Sequence, residues 1–182
     1  MRRIALTLLF SVGLGVALLS AGAPAQAQSG GQEVGQGAGQ GAGQRSGQPI
    51  PRMVSIKAAE ANVRTGPGVD YPIRWVYRRL DMPVQVIAEF DKWRKIRDWE
   101  GDEGWVHFAL LSSRRTVIVT APETTLRRLS DEASPAVARL AEGLVARVEY
   151  CEPVWCLVTV LGYDGWLKRS DVWGIEPGET LQ

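Results

Sequence analysis

The sequence predicts an all-β protein built from two tandem copies of one small barrel, and three observations predict it. Landmarks recur at a near-constant offset: Asn62-Val63-Arg64 is answered by Thr125-Leu126-Arg127, Trp93 by Trp155, and Gly104-Trp105-Val106 by Gly165-Trp166-Leu167, at 63, 62 and 61 residues. Several landmarks in the same order mark a duplicated unit of about sixty residues. Within the first unit, Pro83-Val84-Gln85-Val86-Ile87-Ala88-Glu89-Phe90 places Val84, Val86, Ala88 and Phe90 on one side of an extended chain, the period-2 pattern of a strand with one buried face. Turn formers then follow at short intervals, with Asp91-Lys92 before Trp93-Arg94-Lys95-Ile96-Arg97 and Glu100-Gly101-Asp102 before Glu103-Gly104-Trp105-Val106. Short strands joined by tight turns describe a meander, and sixty residues of it describe a small barrel.

Residues 1–27 read as a secretory signal peptide. Met1-Arg2-Arg3 opens with positive charge, an apolar run extends from Ile4 to about Ala23, and Ala25-Gln26-Ala27 supplies an A-x-A cleavage pattern. A membrane anchor is the rival, since the run approaches the length of a bilayer span; Gly13, Gly15 and Ser20 weaken it, and no charged stop follows. After cleavage no membrane span remains, and the expected location is periplasmic or secreted. Residues 28–51 repeat Gly and Gln with little apolar surface, the composition of a flexible tether.

The first barrel spans 52–115. Thr65-Gly66-Pro67-Gly68 is a loop of turn formers between Val63 and Tyr71, and Pro72 breaks any further strand. The second spans 116–175 and carries Leu126-Arg127-Arg128-Leu129-Ser130 where the first has its Gly-Pro-Gly loop. Val137, Leu140 and Ala141 fall at helical spacing, so a helical turn or two is expected between Ser134 and Glu142. Residues 176–182 form a tail.

Asn62-Val63-Arg64-Thr65-Gly66-Pro67-Gly68, then Tyr71, a hydrophobic strand, Trp93 with Ile96 three later, and Gly104-Trp105-Val106 together resemble the bacterial SH3 domain family. The resemblance covers about 53–113 and, more divergently, 116–175. It implies five-stranded SH3-like barrels that bind peptides or cell-wall material, often beside a separate catalytic domain, of which this sequence shows no sign. The first copy, which keeps the Gly-Pro-Gly loop and a basic, aromatic rim, is expected to be the reader of a ligand. The second copy is expected to be its stapled support.

The staple is Cys151 with Cys156, the only two cysteines. In an exported chain a disulfide is the default pairing. Zinc is the rival, but a tetrahedral site wants about four ligands and the chain has a single histidine, His107. No metal or cofactor is expected, because the phosphate-loop and dinucleotide fingerprints are missing too. Nucleic acid is not expected as a partner either: the formal net charge is +1, or about −1 once Arg2 and Arg3 are removed with the signal peptide, and nothing in that balance demands it.

Catalysis finds little support. A serine or cysteine nucleophile needs a base, and the lone His107 reads better as a surface residue at a strand end. Glu100, Asp102 and Glu103 cluster but sit in a turn signal, so glycosidase chemistry is the least favoured reading. Aromatic residues are the better lead among the seven tryptophans. Trp93 and Ile96 are three apart and Trp105 and Val106 adjacent, so if Ile96 and Val106 face the core, Trp93 and Trp105 face out, with Lys95 and Arg97 on the Trp93 side. Tyr71, Trp75 and Trp99 lie in or beside loops, where binding residues collect. The candidate ligand residues are therefore Arg64, Tyr71, Trp75, Trp93 and Trp99, and the expected partner is a peptide, a peptidoglycan stem or an envelope protein. A rigid scaffold for a protein complex, with no small ligand, is the alternative.

Overall fold

The structure is a computed structural model and describes residues 46–181. The signal-peptide reading and most of the Gly/Gln tether therefore lie outside the described residues. Among those described, the chain forms fourteen strands and two short 3-10 turns, and no helix is long and apolar enough to cross a membrane.

The first sheet comprises β1 (Arg52–Ile56), β2 (Ala61–Arg64), β3 (Ile73–Tyr77), β4 (Pro83–Phe90), β5 (Trp93–Arg97), β6 (Glu103–His107) and β7 (Leu111–Ser112). Its order is β3-β2-β6-β5-β4-β1-β7. The second repeats it with β8 (Thr116–Val119), β9 (Glu123–Arg127), β10 (Ala136–Ala141), β11 (Val145–Cys151), β12 (Trp155–Val160), β13 (Tyr163–Lys168) and β14 (Val172–Trp173), in the order β10-β9-β13-β12-β11-β8-β14. These are two tandem SH3-like barrels, with seven strands each rather than five. The additions are a hairpin arm, β3 or β10, and a two-residue strand after the 3-10 turn that pairs back onto the first strand of the unit.

The helical expectation for Ser134–Glu142 is wrong, because that stretch contains β10. Leu140 pairs with Thr124 across the β9–β10 hairpin and is buried; the cross-strand contact outweighs a short helical periodicity, and a bulge between Ala136 and Ala138 blurs the period-2 signal.

Each sheet wraps its own core. Ile56, Val63, Val84, Val86, Ile96 and Val106 are buried in the first; Val117, Val119, Leu126, Val158 and Leu167 in the second. β8 joins the two. All four of its residues are buried, as a strand covered on both faces requires. Alternation sends Val117 and Val119 into the second core and Ile118 into the first. Val145 and Trp173, the pairing neighbours of Ile118, pack against the first core beside it. Polar contacts flank this seam. Thr116 Oγ1 donates to the Asp81 carbonyl at 2.7 Å, Gln85 Nε2 donates to Glu176 Oε1 at 2.6 Å, and Arg79 donates to the Gly143 carbonyl.

The second loop keeps more of the first than its residues suggest. In the first barrel the Thr65, Gly68 and Tyr71 amides donate to the Pro72, Gly66 and Gly68 carbonyls, and in the second the Arg128, Asp131 and Ser134 amides donate to the Pro135, Leu129 and Asp131 carbonyls. Every one of these residues is displaced by 63. The loop is therefore kept in its backbone while its side chains are replaced. In the first copy the Tyr71 ring lies against Gly66, where a Cβ would stand 2.3 Å from the ring. In the second, Ser134 Oγ accepts from the Leu129 amide at 2.9 Å and Asp131 Oδ1 from the Ala133 amide at 3.0 Å, short polar caps that need no glycine.

The two barrels also staple the same place by different chemistry. Cys151 and Cys156 form the expected disulfide across a β11–β12 pair. The corresponding β4–β5 pair is Glu89 opposite Arg94, joined by a salt bridge of 3.1 Å with side chains 3% and 10% exposed. Arg52 Nη2 adds a second contact to Glu89 at 2.6 Å, and the Ser46 amide and hydroxyl each donate to it at 2.7 Å. Burial works to raise the Glu89 pKa, but the Ser46 hydrogen bonds and the two guanidinium groups overcome it and lower the value from an ordinary 4.5 to about 2.

Candidate functional site

A three-strand platform on the outer face of the first barrel carries the candidate site. β2, β6 and β5 are neighbours, and residues directly opposite one another share a face. One row runs Arg64, Trp105, Lys95, and the next pairs His107 with Trp93. The core-facing residues Val63, Ile96 and Val106 are each next in sequence to one of these positions, on the opposite face of the strand, and are fully buried. The parity expected of Trp93 and Trp105 is what the register shows.

Beside this platform lies a groove of about 180 Å³ lined by Asn62, Arg64, Val69, Trp93, His107 and Leu110. Trp93 forms its floor. Although it faces outward, it is only 9% exposed, because the His107 ring meets it edge-on with centroids 5.5 Å apart. Phe108 continues the aromatic run at 5.0 Å from His107. His107 Nδ1 accepts the Ala109 amide at 3.3 Å, which caps the 3-10 turn Phe108–Leu110 and orients the ring. Val69, on the loop, is 70% exposed and forms an apolar lip.

Arg64 connects loop and groove. Its Nη1 donates to the Tyr71 carbonyl at 2.7 Å, fixing the loop that carries Val69, while its side chain lines the groove. Of the sequence candidates, Arg64 and Trp93 come together here. Tyr71 is adjacent through its carbonyl, but its ring is spent on Gly66 and Gly68. Trp75 and Trp99 do not join them. Trp75 is a strand residue opposite the buried Val63, so it faces the core, and both tryptophans pack against the first core cluster. Nearness to a loop in sequence misleads here: pairing opposite Val63 turns Trp75 to the core, and Trp99, in the turn after β5, packs on the same cluster. Asn62, Val69, His107 and Leu110 also line the groove; strand parity with Arg64 and Trp93 is the signal for Asn62 and His107, whereas Val69 and Leu110 lie outside the strands.

The acidic turn is architecture. Asp98 is buried; its Oδ1 accepts the amides of Glu100 at 3.1 Å and Asp102 at 2.9 Å, and its Oδ2 accepts the Tyr77 hydroxyl at 2.7 Å. Burial, then the hydrogen bond to Asp98, pushes the Tyr77 pKa up. Glu103 is bound by Lys95 and by Arg97, both at 2.6 Å, and hydrogen bonds from Lys95 and then Arg97 lower its pKa. A glycosidase acid needs the opposite shift. A further cavity of about 260 Å³ is lined by Ser46, Arg52, Arg94 and Phe108 among others, but its two cations are engaged by Glu89. No cluster of three or more metal-ligating side chains occurs among the described residues.

The bacterial SH3 domain model matches residues 57–113 and again 120–174, together more than half of the chain. The chain belongs to the bacterial SH3 domain family. Bacterial SH3 domains are cell-wall binding modules. No curated protein matches the chain. Among solved structures, NlpC2 from Trichomonas vaginalis is similar at 9% identity and a TM-score of 0.32, covering 69% of this chain and 49% of that one. NlpC1 from the same organism is similar at 10% identity and a TM-score of 0.32, covering 70% and 47%. An NlpC/P60 family protein from Bacillus cereus is similar at 15% identity and a TM-score of 0.31, covering 66% and 55%. The chain spans about half the length of these proteins.

Proposed function

We propose that this protein is a non-catalytic exported binding module of the cell envelope, and that the first bacterial SH3 domain reads a peptide or peptidoglycan stem through the Arg64–Trp93–His107 groove. The observation that carries the reading is the groove itself: an aromatic floor, an apolar lip at Val69 and a guanidinium at one wall, on a rigid sheet. An aromatic floor takes up the apolar body of a side chain or sugar, and Arg64 supplies donors to a carbonyl or carboxylate. The apolar start of the chain and the Cys151–Cys156 disulfide support a location outside the cytoplasm.

A pull-down with purified peptidoglycan sacculi tests it. His107→Ala combined with Val69→Asp changes two groove residues outside the buried core, and binding should fall at least tenfold. If this variant sediments with sacculi as well as the wild type, the groove is not the reader. The second reading, a scaffold without a small ligand, draws support from β8, whose side chains belong to both cores and hold the two domains as one block. Cross-linking in cells should then recover one dominant protein, and wall fragments should leave the NMR spectrum unchanged.

A further inference from the structure

We infer that the second barrel carries a binding groove of its own, built to take the free carboxylate of a short peptide, and that Glu132 holds the groove's lysine, Lys168, until such a ligand displaces it. The groove is the counterpart of the first. Thr125, Arg127, Trp155, Lys168 and Asp171 line it, and they stand 63, 63, 62, 61 and 61 residues after Asn62, Arg64, Trp93, His107 and Leu110. Its volume is about 260 Å³. The loop clamp is repeated as well, with Arg127 Nη1 donating to the Ser134 carbonyl at 2.8 Å. The floor is Trp155, 7% exposed.

What differs is the charge. The place of His107 is taken by Lys168, whose Nζ stands 5.8 Å from the Trp155 ring centroid. The apolar lip Val69 is replaced by Glu132, 63 residues on, and Glu132 is ion-paired with Lys168. A carboxylate of the chain's own loop therefore sits on the cation of the groove, with Arg127 on the same wall. The other acids are occupied elsewhere. Both Asp171 oxygens accept hydroxyls, from Thr124 at 2.5 Å and Ser170 at 2.8 Å, and Glu123 pairs with Arg139 at 3.2 Å.

The Glu132 side chain is 72% exposed, and an exposed pair of this kind is easily broken. An incoming carboxylate that also packs on Trp155 buries surface that Glu132, reaching in from the rim, does not. The two domains would then present one groove shape twice, the first more apolar and the second selective for an acid. This inference rests on the reading above only in taking the ligand to be a peptide.

The test uses the full chain with the tripeptide Ala-Gly-Ala, as the free acid and as the C-terminal amide, and follows the Trp155 indole N–H by NMR. The acid should shift that resonance saturably and the amide should not. Glu132→Gln removes the internal competitor and should tighten acid binding about fivefold, as when a competent state is freed. Lys168→Met should abolish the shift, and His107→Ala should leave it unchanged. An unmoved Trp155 resonance in Glu132→Gln, equal response to acid and amide, or weaker binding by Glu132→Gln would overturn the inference. Sacculus binding that fails while the acid still titrates Trp155 sinks the wall-reading function and leaves this groove standing; the reverse result separates them the other way.

Discussion

Replacing Glu89 by Gln should destabilise the first barrel as severely as the loss of a core side chain. The carboxylate is 3% exposed and lies between Arg52 and Arg94 at 2.6 and 3.1 Å, with two further bonds from Ser46. The amide introduced by Glu89→Gln would keep one acceptor oxygen, turn an NH2 group toward donors, and leave two guanidinium groups without a counter-charge. Removing one partner of a buried pair costs about 3–5 kcal/mol. At a urea dependence of about 2 kcal/mol/M, the midpoint should fall by about 1.5–2.5 M. The pH dependence has a definite sign. Because the folded pKa of about 2 lies below the ordinary 4.5, the contribution of Glu89 is complete above about pH 4.5 and is lost progressively as pH falls through 2. Urea titrations followed by tryptophan fluorescence at pH 7, 4, 3 and 2 should show a large gap between wild type and Glu89→Gln that narrows toward pH 2. A gap under about 1 kcal/mol at pH 7, or one that stays constant to pH 2, would refute the ionic staple.

Ile118→Ala should cost about 2–4 kcal/mol and shift the unfolding of both barrels together, because the side chain fills the first core from the second sheet; two separate transitions in calorimetry would show that the domains are not coupled through β8. Gly66→Ala places a Cβ against the Tyr71 ring at 2.3 Å, so stability should drop by about 1–3 kcal/mol and recover in part in the Gly66→Ala, Tyr71→Ala double variant; no recovery means the ring contact is not the cause. Thiol counting on the unfolded, unreduced protein should find none, since Cys151 and Cys156 are bonded; two free thiols would remove the covalent staple from the second barrel.

Much of the candidate site was legible because strands alternate. Trp93 and Trp105 on the outer face, opposite Ile96 and Val106, follow from counting by two. Arg64 was legible from its place before a Gly-Pro-Gly loop. Trp75 and Trp99 fall outside the groove, because nearness to a loop in sequence says nothing about which side of the chain meets the core: Trp75 stands opposite Val63, and Trp99 packs on the same core cluster. Strand parity sets His107 opposite Trp93, but Val69 reaches the same groove only because its loop, about forty residues from His107 in sequence, comes beside that strand, a contact that no local pattern encodes.

By itself the sequence determined the duplication, the all-β class, the meander of β4 to β6 and the Cys151–Cys156 pairing, all of which rest on short-range spacing or on residue chemistry. Only the tertiary structure decided that Ser134–Glu142 contains a strand, since the hairpin with β9 outweighs helical periodicity. It likewise decided that the second loop keeps its backbone after losing every glycine, because the same backbone hydrogen bonds can be supported by Ser134 and Asp131 as well as by a ring on glycine. And it revealed that a buried ion pair in one barrel and a disulfide in the other occupy the same cross-strand position, where the physical need is to tie two strands at their ends and either chemistry meets it.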